Sequence, residues 1–452
     1  MRDLKELTGY DIITEEKIPE VNGTGYILSH KKTKARVLVI ANDDENKVFN
    51  IGFRTPPYDD SGIPHILEHS VLCGSRKYPV KDPFVELAKG SLNTFLNAMT
   101  YSDKTVYPIA SCNEKDFENL MDVYLDAVFY PNIYEHTEIM RQEGWHYELE
   151  TIEGELIYNG VVFNEMKGAF SSPEQQMYSK IEKLLLADTP YKNESGGDPA
   201  AIPTLSQERF LDFHRKYYHP SNSYIYLYGD LDMYKELDYI DKEYLSSFDY
   251  REIDSTIAVQ TSYEQMKDES CFYSIAENES EENQTFLTYN MVVGSSLDKK
   301  QSVAMNILEY AIMDAPGAPL KKALVDAGIG EDVFASFDDG IRQTIFSIVA
   351  RNANMSDKER FVSVIRDTLT DLSGHGEEGK AIDRTSIEAA INNFEFKHKE
   401  ANFGRFPKGL MMGLDAFNTW LYDDASALEM FKLNEVYDEL KESLKTGYFE
   451  EL

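Results

Sequence analysis

His65, Glu68 and His69, in the stretch PHILEH, are the side chains here whose types and spacing could do chemistry. The chain has only nine histidines, yet two of them stand four residues apart. A helix turns once every 3.6 residues, so positions i and i+4 lie one above the other on a single face. Pro64 suits the first turn of a helix, and SGIP reads as a loop feeding one. Two neutral imidazoles on one helical face make a partial zinc site. A glutamate beside them that does not ligate can take a proton from a metal-activated water. Chance would produce such a pentapeptide about 0.03 times in a chain of this composition, even with Asp allowed for Glu. The plainer alternative is a helix face whose histidines bond to neighbouring carbonyls.

A hydrolytic zinc site wants three protein ligands and one open position. Glu165 is a candidate for the third. It is the only acidic residue between Leu156 and Phe170, in a stretch otherwise suited to a core. A buried carboxylate there would need a cation or several donors. An exposed glutamate near a helix start is the alternative, and Glu143, Glu148, Glu150, Glu153 and Glu155 are all close by. Spacing does not choose among them. Cys73, four residues after His69, reads as a small buried filler. His136 and His146, ten apart, share no ligand face, and His214 and His219 serve a helix end before Pro220. SGGDP lacks the Lys-Ser or Lys-Thr of a phosphate loop and reads as a glycine turn.

Several elements would have to position these residues. TGYILSH, ARVLVIA and KVFNIGF are apolar runs with polar breaks, the pattern of an antiparallel meander. SLNTFLNAMTYSDKTVYPIAS holds two strand-like halves about the turn YSDK. A helix capped by Asn113 stops at Pro131, and HTEIMRQEGWHYELE reads as another. One or two helices follow from GVVFNEMKG onward, then a helix stopped by Pro220 and the strand SYIYLYGDLD. A polar, charge-rich connector spans residues 251–282. A second set then repeats the order strand, helices, strand, helices, without a histidine pair. The expectation is an α+β fold of two related domains, residues 1–250 and 283–452. Each would be an antiparallel-rich mixed sheet with helices packed on one face. Any metal site would belong to the first domain.

Composition bounds the function. At 452 residues the chain is too long for one core, and its 42% hydrophobic content is that of a globular protein. A net charge of −34 argues against nucleic acid, which needs Lys and Arg patches. Acidity serves solubility first and attraction of basic substrates second. No apolar run approaches a membrane span, and MRDLKELTGYDI has no secretory core. Three cysteines make no disulfide framework, so a reducing compartment, most simply the cytoplasm, is expected.

The order His-x-x-Glu-His is itself a zinc metallopeptidase motif. PHILEHSVLCGSRKYPVKDPF resembles the signature of the insulinase or pitrilysin superfamily. SLNTFLNAMTYSDKTVYPIAS, GVVFNEMKGAFSSPE, SGGDPAAIP and FHRKYYHPSN resemble its presequence protease branch, which includes falcilysin-type enzymes. The resemblance implies that His65, His69 and Glu165 ligate one Zn2+, with Glu68 the general base of peptide hydrolysis. It also implies that an unfolded peptide lies along the edge strand LNTFLNAMT, with Asn97 and Ala98 in contact. Enzymes of this branch resemble two such halves, and this chain resembles the first. The expected partners are therefore peptides and a missing C-terminal half or partner subunit, with homodimers of the isolated half open. The rival reading is a non-catalytic peptide-binding or assembly subunit.

Overall fold

The computed structural model describes residues 2–81, 83–376 and 381–452. The first strands are β1 (Tyr10–Ile18), β2 (Gly23–His30), β3 (Arg36–Ala41) and β4 (Lys47–Arg54). Helix α1 (Ile63–Val71) carries the histidine pair; α2 (Pro83–Gly90) leads to β5 (Asn93–Leu96), β6 (Met99–Thr100) and β7 (Lys104–Ser111). Next come α3 (Glu114–Phe129), α4 (Thr137–Glu143), β8 (His146–Glu148), β9 (Ile157–Asn159), α5 (Val161–Ala169) and α6 (Pro173–Leu185). Helix α7 (Gln207–Tyr217), β10 (Ser223–Gly229) and α8 (Met233–Glu243) follow. The remainder runs β11 (Thr285–Ser295), α9 (Lys299–Glu309), α10 (Pro319–Asp326), β12 (Asp332–Asp338), β13 (Gln343–Ala353), α11 (Lys358–Leu372) and α12 (Arg384–Glu400). It ends with α13 (Lys408–Trp420), α14 (Asn434–Ser443) and α15 (Tyr448–Glu451).

The architecture is α+β, in two compact units. One comprises Met1–Thr261 and Phe403–Phe431, the other Ser262–Asn402 and Lys432–Leu452. The first unit is built on an eight-stranded sheet in the order β1-β2-β3-β10-β4-β7-β5, with β6 also on β7. Only the β3–β10 pair is parallel. β4, β7 and β10 are apolar on both faces, so burying one face would not suffice. One core packs Val37, Phe49, Ile51, Tyr107, Ile109 and Ile225 against helices that include α1, α3, α7 and α8. The other packs Leu38, Val48, Val106 and three tyrosines of β10 against α13 and residues 424–431.

That second layer corrects two expectations. Helices cover both faces of this sheet, not one. Residues 403–431, expected in the domain 283–452, belong to the first unit. Helix α13 can do this because it is glycine-notched. A Cβ at Gly409 would come within 2.1 Å of Tyr228, and one at Gly413 within 2.3 Å of Tyr226. The helix therefore rests directly on tyrosine rings that a larger residue would push away.

Other expectations shift locally. HTEIMRQEGWHYELE is not one helix: α4 ends at Gly144, and His146–Glu148 pairs with β9 as a hairpin. Trp145, Tyr147 and Tyr158 pack edge on or tilted there, which favours strand over helix. Strand β1 has no clean apolar alternation, because its exposed positions are Asp11, Ile13, Glu15 and Lys17, an isoleucine among charges. The second unit holds the antiparallel sheet β11-β13-β12, and residues 251–272 carry no helix or strand. Among the described residues no helix is long and apolar enough to cross a membrane.

His214 on α7 gives this core a measurable acid sensitivity. Its Nε2–H donates to Val128 O at 3.0 Å, and its Nδ1 accepts from the Tyr134 hydroxyl at 2.7 Å. Burial pushes the imidazole down to about 4 from its ordinary 6.5. The unfolded chain therefore binds a proton between these values that the folded protein refuses. The stability so conferred is complete above pH 6.5 and is lost as pH falls toward 4, with an upper bound of about 3 kcal/mol. An NMR titration of the ring should find no protonation above about pH 5. An ordinary midpoint near 6.5 would refute this account.

Candidate metal centre

Helix α1 is sunk into the first unit. Ile63, Ile66, Leu67 and Val71 enter the core, and His65 and Glu68 are buried beside them. Its start is set by Gly62 at φ +70°, where a Cβ would lie 2.8 Å from Gly196 O. A larger residue would thus be both strained and blocked. The glycine turn of SGGDP therefore closes directly on the histidine helix. After α1, the chain is pinned by the buried Asp126, which accepts from Arg76 Nη2 at 2.7 Å and from Lys77 N at 2.6 Å.

The two imidazoles stand edge to face with ring centres 5.0 Å apart. His65 Nδ1 lies 3.1 Å from Gly196 O, and donating there leaves Nε2 as the free lone pair. His69 Nδ1 faces Glu143 Oε2 at 3.4 Å. The two Nε2 atoms approach Glu165 Oε2 at 3.8 and 3.7 Å. These three residues can each offer a ligand atom within 4.8 Å of the others. A tetrahedral zinc with ligands at about 2.0–2.1 Å separates its donors by about 3.3 Å, so a small inward shift would complete the set. Two nitrogens and a carboxylate oxygen are suitable zinc donors, and three protein ligands leave a fourth position open.

Glu165 reaches the pair from α5, whose Val162, Phe163 and Met166 are buried. Its own side chain is 53% exposed, so it is not the buried carboxylate that its apolar surroundings suggested. The helix buries one face and leaves Glu165 on the rim, turned toward the histidines. A backbone contact sets the approach of α5: a Cβ at Gly160 would lie 2.2 Å from Gly144 O.

Glu68 is placed differently. Thr100 Oγ1, on β6, donates to its Oε2 at 2.7 Å. Burial lifts the Glu68 carboxyl above its usual range, and the Thr100 bond and the two imidazoles oppose this only in part. A raised carboxylate is a better proton acceptor. For His69, burial disfavours the imidazolium, but the Glu143 bond and the surrounding carboxylates outweigh it and raise the group.

The expected edge strand is interrupted. β5 ends at Leu96 and β6 begins at Met99, with Asn97 and Ala98 in the break. Asn97 is exposed, and its carbonyl accepts from the Tyr124 hydroxyl at 3.2 Å. Ala98 is buried in the core, so its methyl group does not face outward. Thr100 had no signal in the sequence, and Glu143 was one acid among several. A second acidic group, Glu114, Glu118 and Glu236, surrounds Lys235, whose Nζ lies 3.1 Å from Glu114 and also bonds Glu118. Lys235 balances part of this charge, and burial with the neighbouring carboxylates pushes the Glu236 carboxyl up to about 7.

Two profiles of one family match the chain: "Insulinase (Peptidase family M16)" over residues 48–179 and "Peptidase M16 inactive domain" over residues 204–394. The chain is 51% identical to Protein HypA of Clostridium perfringens over 445 residues, covering 98% of this chain and 45% of that protein. It is 42% identical to presequence protease 1, chloroplastic/mitochondrial, of Arabidopsis thaliana, covering 100% of this chain and 41% of that one. The chain thus spans somewhat under half the length of these curated relatives. The crystal structure of pitrilysin superposes with a TM-score of 0.64 at 17% identity, over 98% of this chain and 46% of that one. The fold, the matched profiles and the relatives agree, and the chain belongs to the M16, or insulinase, peptidase family, alongside the presequence proteases.

Proposed function

We propose that this chain forms the zinc-binding part of an endopeptidase that hydrolyses unfolded peptides. The observation that carries the reading is the convergence of His65 Nε2, His69 Nε2 and Glu165 Oε2, with Glu68 on the same helix as both histidines. A zinc ion held by these three would supply Lewis acidity toward water and the scissile carbonyl. Glu68 takes the water proton, and Thr100 fixes which oxygen does so by occupying Oε2. Glu68 then returns that proton to the leaving amine, so the products are one new carboxylate and one new amine. The outer side of β5, at the end of the sheet, offers backbone groups to an extended peptide, with Asn97 at its exposed end. Recognition through backbone tolerates many side chains, which suits a peptide-degrading role. The further length of the relatives supports a second half, in the same chain or as a partner subunit. The cytoplasm is the proposed location, on three cysteines that make no disulfide framework.

A second reading is kept because one matched profile is described as an inactive domain: a non-catalytic peptide-binding subunit. Metal content separates the two. The purified protein should hold about one zinc per chain, and His65→Ala should lose it. Peptide digestion should stop with a chelator and return with added zinc. A chain that takes up no metal under saturating zinc supports the binding subunit instead.

A further inference from the structure

We propose that Glu143 is a positioning residue that fixes the tautomer and orientation of His69. This rests on the metal-site reading above and extends it to a residue outside the three ligands. Glu143 is the last residue of α4, and its side chain is 10% exposed. A carboxylate so buried needs a strong partner. Among the described residues it forms no ion pair with lysine or arginine; Oε2 faces His69 Nδ1 at 3.4 Å, and Oε1 accepts from Gln142 Nε2 at 3.3 Å.

Backbone packing holds that carboxylate in place. A Cβ at Gly144 would lie 3.1 Å from Ile66 of α1 and 2.8 Å from Met140 O. On the other side Phe163 N of α5 donates to Gly144 O at 3.4 Å, and Gly160 abuts the same carbonyl. Trp145 Nε1 ties the following residue to Leu205 O at 3.0 Å. The end of α4 is therefore clamped between the helix that bears His65 and His69 and the helix that bears Glu165. With Nδ1–H directed at Glu143, the lone pair of His69 is on Nε2, the atom that faces Glu165. A carboxylate on the far ring nitrogen also makes the imidazole a stronger donor to a metal. His65 obtains the equivalent bond from a main-chain carbonyl, that of Gly196, which no side-chain change removes. Glu143 is the partner that substitution can test.

The test uses the full chain and zinc alone, titrated against a competing chelator. Glu143→Ala should weaken zinc binding about 10- to 100-fold. Glu143→Gln, whose amide oxygen can still accept from Nδ1–H, should weaken it less. Nitrogen shifts of the His69 ring should show a single Nδ1–H tautomer in the wild type and a mixture in Glu143→Ala. A role confined to packing would lower the melting temperature and leave both readouts unchanged. Should Glu143→Ala fail to fold, the near-isosteric Glu143→Gln carries the comparison. A dissociation constant within about twofold of wild type in every folded variant, with zinc lost in His65→Ala, overturns the assignment of Glu143 and leaves the metal site standing. Zinc retained in His65→Ala overturns the metal site and this inference with it.

Discussion

Glu68→Gln is expected to keep its zinc and lose peptide hydrolysis by about a hundred- to ten-thousandfold. The substitution preserves shape and volume, and the amide oxygen can still accept from Thr100 Oγ1, so α1 and the two imidazoles should stay in place. What disappears is a group that can take and return a proton. A neutral amide has no basicity at working pH, whereas the buried Glu68 carboxylate can take and release a proton, and burial holds it above the usual carboxylate range. Turnover should fall with little change in KM, because the lost interaction acts in the transition state. Two measurements decide it: zinc per chain, and single-turnover cleavage of a peptide of known sequence. A variant that cleaves near the wild-type rate with zinc bound refutes Glu68 as the base. A variant that has lost its zinc points to a structural role for this carboxylate.

The second large effect concerns the extent of the chain. These 452 residues alone should bind zinc normally yet hydrolyse peptides about a hundredfold more slowly than a polypeptide that also carries the remaining length of the relatives. The proposed ligands and base all lie between His65 and Glu165, within one unit, so the metal site assembles from what is present. Efficient hydrolysis asks for more: donors aimed at the developing oxyanion, and walls that orient the peptide and exclude water. Among the described residues no arginine or lysine forms an ion pair with Glu165, whose carboxylate meets the two imidazoles. Loss of one oxyanion donor costs about a hundredfold or more in rate. Equal turnover per zinc in the shorter and longer chains, measured on one peptide substrate, would mean that the catalytic apparatus is complete here.

Much of this molecule was legible in its residues. HILEH sets its reactive groups together because helical periodicity is local: five residues suffice to put His65 and His69 on one face, whatever surrounds them. The hairpin β2-β3, the Asn113 cap and the stop at Pro131 follow from equally short-range rules. So do the polar connector after residue 250 and the α+β class. The expected meander does not extend to β4, because β10 enters between β3 and β4.

Tertiary structure decided the rest, because it depends on contacts between residues far apart in the chain. Glu165 faces the histidines from 96 residues beyond His69, and spacing alone could not rank it above five nearby acids. Its half-exposed position, and the burial of Ala98, depend on which face each element turns to a core assembled elsewhere. Helix α13 joins the first unit rather than the second because two glycines fit the tyrosines of β10, a match between segments about 180 residues apart that no periodicity encodes. Gly144 ended α4 early, and that early end is what set Glu143 against His69. Thr100 carried no mark of its role, since a threonine in a strand is ordinary until folding brings a carboxylate to its hydroxyl. Local rules thus supplied the reactive groups and the elements that carry them. Only the packing of distant segments could bring Glu165, Glu143 and Thr100 to the histidine helix, because each lies on a separate element whose place is set by the core it buries.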